Sequence, residues 1–562
     1  MQWNVPNINS DQCLIKVSQS FNPTLFDISD SLFSIQYNPS YDFIAANEVL
    51  MWVGNNGDGS HDPRTDGSGF YWPGGINNTG ESAIFEDGLC WGGKVNGQIR
   101  VNGNTHRQGL KQGNILPNGT PADYSDPKFR IYKIKKGWEY LPPSPERDKY
   151  EFNFLNWPAE LGAPWIDENN DGIYTPGVDK PDYVGDEVLF YVANDLDTAT
   201  TIFTYGSNPI GLEFQTTVYA FDREDLKDVV FKRYKIINKS INTCTDLFFS
   251  YWTDDDMGEG FDDYVGCDTM LNLGFTYNRG NNDGIYGTPP PAVGHMFLQT
   301  PKIPATINDS AYFDGKWIKS FKNTPLTSFT LYLGGVSTYR DPHFGTYSGT
   351  LEVYNNMIGA FWNGDNYIDP NTGVSTKFVL SGDPVAGYGW YEGSGWPGGP
   401  SSGDRRYLLT TAPITMAPAD TQEVVIAIFM NKGTDRLNSL VLIKQDAAFY
   451  KNLYYNSFPV SVDENNSVQP DKFVLYQNYP NPFNPSTTIK YTIPKMVNSQ
   501  RSMVNLKVYD LLGREITTLV NKELAAGSYE VEFNTNNLAS GIYIYTLQYG
   551  SFTSSKKMQL IK

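Results

Sequence analysis

The sequence predicts an all-β, multi-domain β-sandwich protein of the Ig-like or fibronectin-like type, with long loops and one helix. Three observations lead to this fold class. Tyr and Phe account for 37 and 32 of the 562 residues, and aromatic side chains favour strands. The chain has 52 Gly and 35 Pro, more than the roughly 12% of average usage, which indicates many turns. Several segments alternate apolar and polar residues.

The same composition excludes several protein classes. The formal net charge is −19, whereas a nucleic-acid-binding protein normally presents a basic face. A disordered acidic chain would have fewer aromatic residues, and four Cys with four His are too few for a multi-zinc architecture. The chain contains no run of 18 or more apolar residues, so we expect no membrane span.

Two strands and the helix are predicted most clearly in the body of the chain. Residues 212–220 alternate apolar and polar side chains and predict a half-buried strand, whereas 424–429 are apolar throughout and predict a strand buried on both faces. A helix is predicted over 435–453, with Thr434 or Asp435 as its cap. Its apolar residues recur at spacings of three and four: Leu440, Ile443, Ala447 and Tyr450.

These patterns suggest four regions. They are a β-rich N-terminal region at 1–150, a central β-sandwich region with acidic loops at 151–458, a polar linker at 459–471 and a small antiparallel sandwich at 472–562. The first boundary rests on the prolines near residue 145. The last region rests on short alternating segments separated by turns.

Four motifs in the last region resemble the type A C-terminal sorting domain of the bacterial type IX secretion system. They are YQNYPNPFNP at 476–485, VYDLLGRE at 508–515, LASGIY at 538–543 and KMQLIK at 557–562. The resemblance implies that the type IX machinery recognises 472–562 and exports the protein to the outer cell surface or the medium. It also implies a Sec signal peptide, so we expect Met1 to mark a trimmed or incomplete start.

The body resembles a family of large, uncharacterised type IX cargo proteins over most of residues 60–458. The segments that carry this resemblance are 157–167, 230–240, 262–268, 289–294 and 416–423. The resemblance implies a location but no activity, because the family has no established one.

One acidic loop, DENNDGIYTPGVD at 167–179, has the ligand spacing of a calcium loop. The candidate ligands are Asp167, Asn169, Asp171, the carbonyl group of Ile173, and Asp179. Gly172 allows the sharp turn, but Val178 stands where an EF-hand has a bidentate Glu, so Asp179 must replace that ligand. The alternative is an Asx-rich turn whose side chains cap their own backbone.

A second acidic segment has seven carboxylates within residues 254–268. Because close carboxylates repel one another without a cation, we expect a calcium site with ligands among Asp254, Asp256, Asp262 and Asp263. The alternatives are a solvated acidic loop and the paired carboxylates of a hydrolase. A disulfide between Cys244 and Cys267 would close this segment in an exported protein, with buried free thiols as the alternative.

The sequence therefore favours a secreted cell-surface structural or adhesive protein stabilised by calcium, with self-assembly into a surface layer or filament as an extension. The competing hypotheses are an extracellular hydrolase acting on glycans or proteins, and a glycan-binding protein using Trp390 and Trp396. No zinc-protease, nucleophile-elbow or phosphate-loop motif occurs, and we assign no catalytic residue.

Overall fold

In the computed structural model the chain forms two compact units, Met1–Ser461 and Val462–Lys562. The structure describes residues 40–77, 80–401, 403–456, 474–478, 481, 483–493, 502–510, 513–524, 527–535, 538–549 and 552–560, and the backbone of four strands before residue 40. The predicted linker at 459–471 lies outside the described residues.

Antiparallel strands dominate the first unit, as the composition predicts. The strands up to residue 135 are β1 Ser10–Cys13, β2 Lys16–Gln19, β3 Asn22–Ile28, β4 Phe33–Ile35, β5 Tyr41–Ile44, β6 Leu50–Gly54, β7 His61–Asp62, β8 Gly67–Ser68, β9 Phe70–Trp72, β10 Glu81–Ile84, β11 Glu86–Val95, β12 Gln98–Gly103, β13 Lys111–Gln112 and β14 Tyr132–Lys135. The next are β15 Trp165–Ile166, β16 Lys180–Pro181, β17 Glu187–Asn194, β18 Leu212–Ala220, β19 Val229–Asn238, β20 Cys244–Asp254, β21 Asp263–Asp268, β22 Leu273–Asn278, β23 Ala292–Gln299, β24 Lys302–Pro304, β25 Ser310–Phe313, β26 Lys316–Lys319, β27 Phe321–Asn323 and β28 Leu326–Leu333. The unit ends with β29 Tyr367–Ile368, β30 Ser375–Thr376, β31 Arg405–Thr411, β32 Ile414–Met416 and β33 Thr421–Asn431.

Two large sheets form the centre of this unit. One has the order β13-β17-β18-β19-β33-β23-β22-β21, with β14 also paired to β17. The other has the order β12-β11-β20-β31-β28, with β32 also paired to β20. The sheets face each other across a shared apolar core, in which the rings of Trp91 from β11 and Phe214 from β18 lie 4.5 Å apart. This is the sandwich that the sequence predicts.

Helices cover the outer faces of both sheets. The described helices are α1 Pro145–Leu155, α2 Thr198–Tyr205, α3 Tyr347–Met357 and α4 Arg436–Asn456. On one sheet, Leu440, Ile443 and Ala447 of α4 pack against alternate residues of β33. On the other, α3 packs against residues of β11 and β20. The predicted helix is thus confirmed, and Asp435 caps it by accepting hydrogen bonds from the backbone N–H groups of Leu437 and Asn438. The sequence analysis did not predict the other three helices.

The two strand predictions have different outcomes. In β33, Val424, Ile426 and Ile428 face the core between the sheets while Val425, Ala427 and Phe429 face α4, so the strand is buried on both faces as predicted. In β18 the expectation of a half-buried strand is wrong, because the second face is covered as well. There Glu213, 2% exposed, accepts a hydrogen bond from the N–H of Ile115 at 2.8 Å.

The predicted division at residue 150 does not separate two units. Strand β11 pairs along its length with β20, and β14 pairs with β17. Residues on both sides of the proposed boundary therefore share each sheet.

The second unit is a small two-sheet sandwich. Its strands are β34 Val474–Leu475, β35 Ser486–Ile493, β36 Ser502–Tyr509, β37 Glu515–Leu524, β38 Gly527–Asn534, β39 Gly541–Tyr549 and β40 Phe552–Leu560. The sheet orders are β34-β35-β38 and β37-β36-β39-β40. Val504, Leu506 and Val508, which alternate with polar residues in the sequence, are fully buried in its core.

Across the residues that the structure describes, no helix combines the length and the apolar character needed to cross a bilayer.

Candidate metal centre

The candidate site lies where β20 ends and β31 begins. These strands pair antiparallel, with Asp254 opposite Arg406. The pairing places Asp404, which precedes β31, beside the acidic end of β20. Residues that are 150 positions apart in the sequence therefore meet where the end of β20 lies beside the start of β31 in the six-stranded sheet.

Asp254, Asp256 and Asp404 form the acidic cluster of this site. Each offers a carboxylate oxygen, and the three oxygens lie within 4.8 Å of one another. Calcium binds oxygen ligands at about 2.4 Å, so two ligands on opposite sides of the ion are about 4.8 Å apart. The three oxygens are therefore close enough to share one calcium ion.

Arg406 orients two of these carboxylates. Its Nε donates to Asp254 Oδ2 at 2.9 Å and its NH2 group donates to Asp404 Oδ2 at 2.7 Å, while NH1 donates to Asp341 Oδ2 at 3.1 Å. All three bonds use an Oδ2 atom. The Oδ1 atoms of Asp254 and Asp404 are buried and have no hydrogen-bond partner. The guanidinium group thus leaves one free oxygen on each carboxylate.

Burial and mutual repulsion disfavour the ionised form of these carboxylates when no cation is bound. Burial, together with the charge of Asp256, raises the pKa of Asp254 to about 7 against the lowering effect of Arg406. Burial and the charge of Asp404 raise the pKa of Asp256 to about 6. A divalent cation would relieve this repulsion.

A glycine makes room for the third carboxylate. At Gly260 a Cβ atom would overlap Oδ1 of Asp256. The turn that follows β20 therefore needs glycine at this position in order to hold Asp256 toward the cluster.

The other two predicted ligands, Asp262 and Asp263, are not part of this group of three carboxylates. Asp262 accepts a hydrogen bond from Asn278 Nδ2 at 2.7 Å. Asp263 is fully buried, and one of its oxygens accepts the N–H of Met257 at 3.1 Å. Of the four predicted ligands, the structure brings together Asp254 and Asp256 and adds Asp404, which the sequence analysis did not identify.

The predicted calcium loop at 167–179 turns most of its acidic oxygens toward its own backbone. Asp167 accepts hydrogen bonds from the N–H groups of Asp171 and Gly172, and Asp179, 2% exposed, accepts from those of Glu168 and Thr175. Asn169 Oδ1 accepts the N–H of Asp171. This is the hydrogen bonding of the Asx-turn alternative. Calcium in this loop, with the Ile173 carbonyl as a ligand, stays a prediction.

Two further expectations differ from the structure. Cys244 and Cys267 are buried free thiols, because Cys244 begins β20 in one sheet while Cys267 lies in β21 of the other; the Cys267 thiol instead donates to the carbonyl of Val379. Trp390 and Trp396 are only 3% and 9% exposed and pack edge to face at 5.5 Å. They are core residues and not an exposed platform for a sugar ring.

Two more polar residues border the cluster and were not anticipated. His106 Nδ1 lies 3.3 Å from Glu86 Oε2, and its Nε2 lies 3.5 Å from Asp254 Oδ2. Burial lowers the pKa of His106 and raises that of Glu86 well above its usual range. His106 therefore adds little positive charge. Only the pairing of β11 with β20 brings Glu86 opposite Asp254, so no local sequence signal could have found it.

The cavity beside the site is small. His106, Trp252 and Asp341 line part of it, and its volume is about 10 Å³, room for about one water molecule. A sugar ring or a peptide does not fit there.

Comparison with known proteins identifies the second unit. Residues 477–562 match a family model. That family is the secretion system C-terminal sorting domain. The sorting domain supports export by type IX secretion, with engagement of that machinery and delivery to the cell surface or the extracellular space. It agrees with the region predicted at 472–562.

No curated protein matches the chain. One similar solved structure is described as a polysaccharide lyase, with 7% identity, a TM-score of 0.18, and coverage of 62% of this chain and 34% of that chain. The chain thus spans about a third of that protein, and a likeness at this TM-score carries no argument about fold or activity.

Proposed function

We propose that this protein is an exported cell-surface structural protein whose body is stabilised by a calcium ion bound by Asp254, Asp256 and Asp404. The observation that carries the calcium site is the pair of buried Oδ1 atoms of Asp254 and Asp404, which have no hydrogen-bond partner although they lie in a cluster of three carboxylates. Buried polar atoms are nearly always paired. A cation supplies the missing partner.

The ligand set favours calcium over other metals. All three groups are carboxylates, which suit calcium, magnesium and manganese, whereas zinc and copper sites use imidazole or thiolate groups. Calcium tolerates irregular geometry and completes its six to eight ligands with water. Strand pairing and one guanidinium group fix the positions of these carboxylates. Such an arrangement suits calcium better than magnesium, which requires a nearly ideal octahedron of ligands.

Bound calcium would stabilise the body by connecting its chain segments. Asp254 is the last residue of β20, Asp256 follows it, and Asp404 precedes β31, so the ion joins the adjacent ends of two neighbouring strands. At a calcium concentration one hundred times the Kd, binding to the folded state alone adds about 2.7 kcal/mol. Extracellular calcium would act on the protein only after export.

The proposal also gives the body of the protein a structural or adhesive role at the cell surface. Export through the sorting domain supports a surface location, and the resemblance of residues 60–458 to uncharacterised cargo proteins stays a prediction. Self-association into a layer or filament extends the proposal. Sedimentation velocity with and without calcium tests it, and a single monomeric species in both conditions would count against it.

A hydrolase centre at the acidic cluster gains no support from the geometry. Hydrolysis of a glycan or peptide requires the substrate to lie against two carboxylates, whereas none of the three cluster carboxylates lines the small cavity beside His106 and Asp341.

Calorimetric titration of the full chain with CaCl₂, together with thermal unfolding in CaCl₂ and in EDTA, tests the calcium site. We expect one site and a higher Tm with calcium. Asp404→Asn should lose both effects without lowering the Tm in EDTA, because it removes a repelled charge. Asp66→Asn, at a carboxylate whose side chain is 97% exposed, is the matched control and should behave as wild type. Equal calcium binding by Asp404→Asn and wild type would refute the site.

A further inference from the structure

A groove of about 700 Å³ lies at the other end of β20 from the metal centre. Asp246, near the start of this strand, lines the groove, and eight residue steps along the strand separate it from Asp254, a distance of roughly 26 Å. The walls come from β24, β25 and β27, from β32, and from residues 419–422. The volume lies within the 300–1,000 Å³ typical of small-molecule sites.

The groove presents one open aromatic ring. Phe313 and Phe321 both line it. The ammonium group of Lys302 lies 3.4 Å from the ring centroid of Phe313 and covers that ring. Phe321 is half-buried and, among the residues that the structure describes, contacts no other ring and no cation. Part of its surface therefore lines the groove and can pack against an apolar surface of a ligand.

The polar wall of the groove is rigid. The backbone N–H of Lys302 donates to Gln422 Oε1 at 3.0 Å, and Gln422 Nε2 donates to the carbonyl of Lys302 at 3.1 Å. The Lys302 ammonium group donates to the carbonyl of Thr421 at 2.9 Å. These bonds hold β24 against the start of β33, so the groove is formed before any ligand arrives, which lowers the entropic cost of binding.

The remaining polar groups of the groove are mainly hydrogen-bond acceptors. Asp246 forms an ion pair with Lys94 Nζ at 3.0 Å, and Asp420 accepts the N–H of Ala417 at 2.7 Å. Thr415 presents a hydroxyl group, and all three side chains are exposed, so their remaining oxygen lone pairs are open to a ligand. A ligand that complements them has many hydroxyl donors, a flat apolar face and no negative charge. Neutral saccharides have these three properties, since the C–H face of a sugar ring packs on an aromatic ring while its hydroxyl groups donate to carboxylates.

We propose that this groove binds a neutral oligosaccharide, with one sugar ring stacked on Phe321 and its hydroxyl groups bonded to Asp420 and Asp246. A peptide fits less well, because it supplies only one backbone donor per residue for the clustered acceptors. The saccharide site is separate from the calcium site and does not depend on it.

Isothermal titration of the full chain with neutral tetrasaccharides of glucose, xylose and mannose, with tetragalacturonate and with a proline-rich decapeptide tests this inference. We expect a neutral tetrasaccharide to bind more tightly than tetragalacturonate, because the Asp420 carboxylate, which forms no ion pair within the described residues, repels an acidic sugar. Phe321→Ala should weaken binding at least tenfold. Phe321→Leu keeps most of the apolar volume without the flat ring and should also weaken it.

Tyr140→Ala is the matched control, since Tyr140 is an aromatic residue outside the groove with 86% exposure; its affinity should stay within twofold of wild type. Asp404→Asn should bind the saccharide as wild type does, so failure of the calcium site and failure of the saccharide site are distinguishable. The inference is overturned if no neutral tetrasaccharide binds, if both Phe321 variants keep wild-type affinity, or if tetragalacturonate or the peptide binds more tightly.

Discussion

Replacing Arg406 by Met removes the guanidinium group that donates to the carboxylates of Asp254, Asp404 and Asp341. The methionine side chain has similar length and keeps the packing of the arginine stem, so the change isolates the loss of charge and of three hydrogen bonds. The carboxylates then lie at the end of β20 without a positive partner. We expect Arg406→Met to fold with reduced stability and with a stronger dependence on calcium.

The size of this effect follows from the burial of the pair. Asp254 is 2% exposed and the Arg406 side chain is 14% exposed. Removing one partner of a buried ion pair costs about 3–5 kcal/mol. The first unit has 461 residues, and an unfolding entropy of about 2.1 cal/mol/K per residue makes 1 kcal/mol worth about 1 °C. The Tm of Arg406→Met in EDTA should therefore fall by about 3–5 °C.

Calcium should reverse much of this loss, because the ion replaces the missing positive charge. Differential scanning calorimetry of both proteins in EDTA and in CaCl₂ at one hundred times the wild-type Kd measures both effects. Wild type should gain about 3 °C from the 2.7 kcal/mol of binding, and Arg406→Met should gain more. Arg223→Met removes an exposed ion pair to Asp225, worth at most about 1 kcal/mol, and serves as the control. A calcium-induced gain in Arg406→Met no larger than in wild type would refute this reasoning.

Three further predictions concern other parts of the chain. Gly260→Ala should weaken calcium binding at least tenfold in calorimetric titration, because its Cβ atom would displace Asp256; unchanged affinity would contradict the role given to this glycine. Burial raises the pKa of Asp446 to about 6, so its contribution to stability is full below about pH 4 and is lost as the pH rises through 6. Asp446→Asn should therefore gain about 1–2 kcal/mol relative to wild type between pH 4 and 7 in denaturant unfolding, the two pKa units being discounted for partial exposure, and parallel pH profiles would contradict this. Deleting 477–562 should leave the protein inside the producing cell, as fractionation and immunoblotting would show; surface delivery of the truncated chain would contradict the role of the sorting domain.

The fold class could be predicted because local signals agree with the tertiary structure. The apolar run at 424–429 lies in the middle of a sheet covered on both sides, and the spacing of Leu440, Ile443 and Ala447 matches the face of α4 that packs on it. Helix α2 shows where such signals fail. Its sequence TATTIFTY is rich in β-branched residues, which favour strands. The structure makes it helical through capping by Asp197 and a left-handed Gly206 at its end.

The site could be predicted only in part, because half of it comes from strand register. Asp254 and Asp256 are neighbours in an acidic run that the sequence displays. Asp404 and Arg406 join them only because β31 pairs with β20 in one register. Asp262 and Asp263, which are equally near in the sequence, lie beyond a turn that sends them toward Asn278 and Met257. Proximity along the chain therefore identified two of the three carboxylates.

The position of β33 has a consequence for the order in which the body can fold. This strand, residues 421–431, lies between β19 and β23 in the centre of the nine-stranded sheet and pairs with both. A chain that is synthesised from its N-terminus therefore leaves one edge of β19 and one edge of β23 unpaired until β33, the last strand before α4, is available. The sheet is completed only when β33 has been delivered, and only α4 and the segment up to residue 476 separate β33 from the sorting domain. The segment that closes the sheet and the segment that directs export are therefore both among the last parts of the chain to be synthesised.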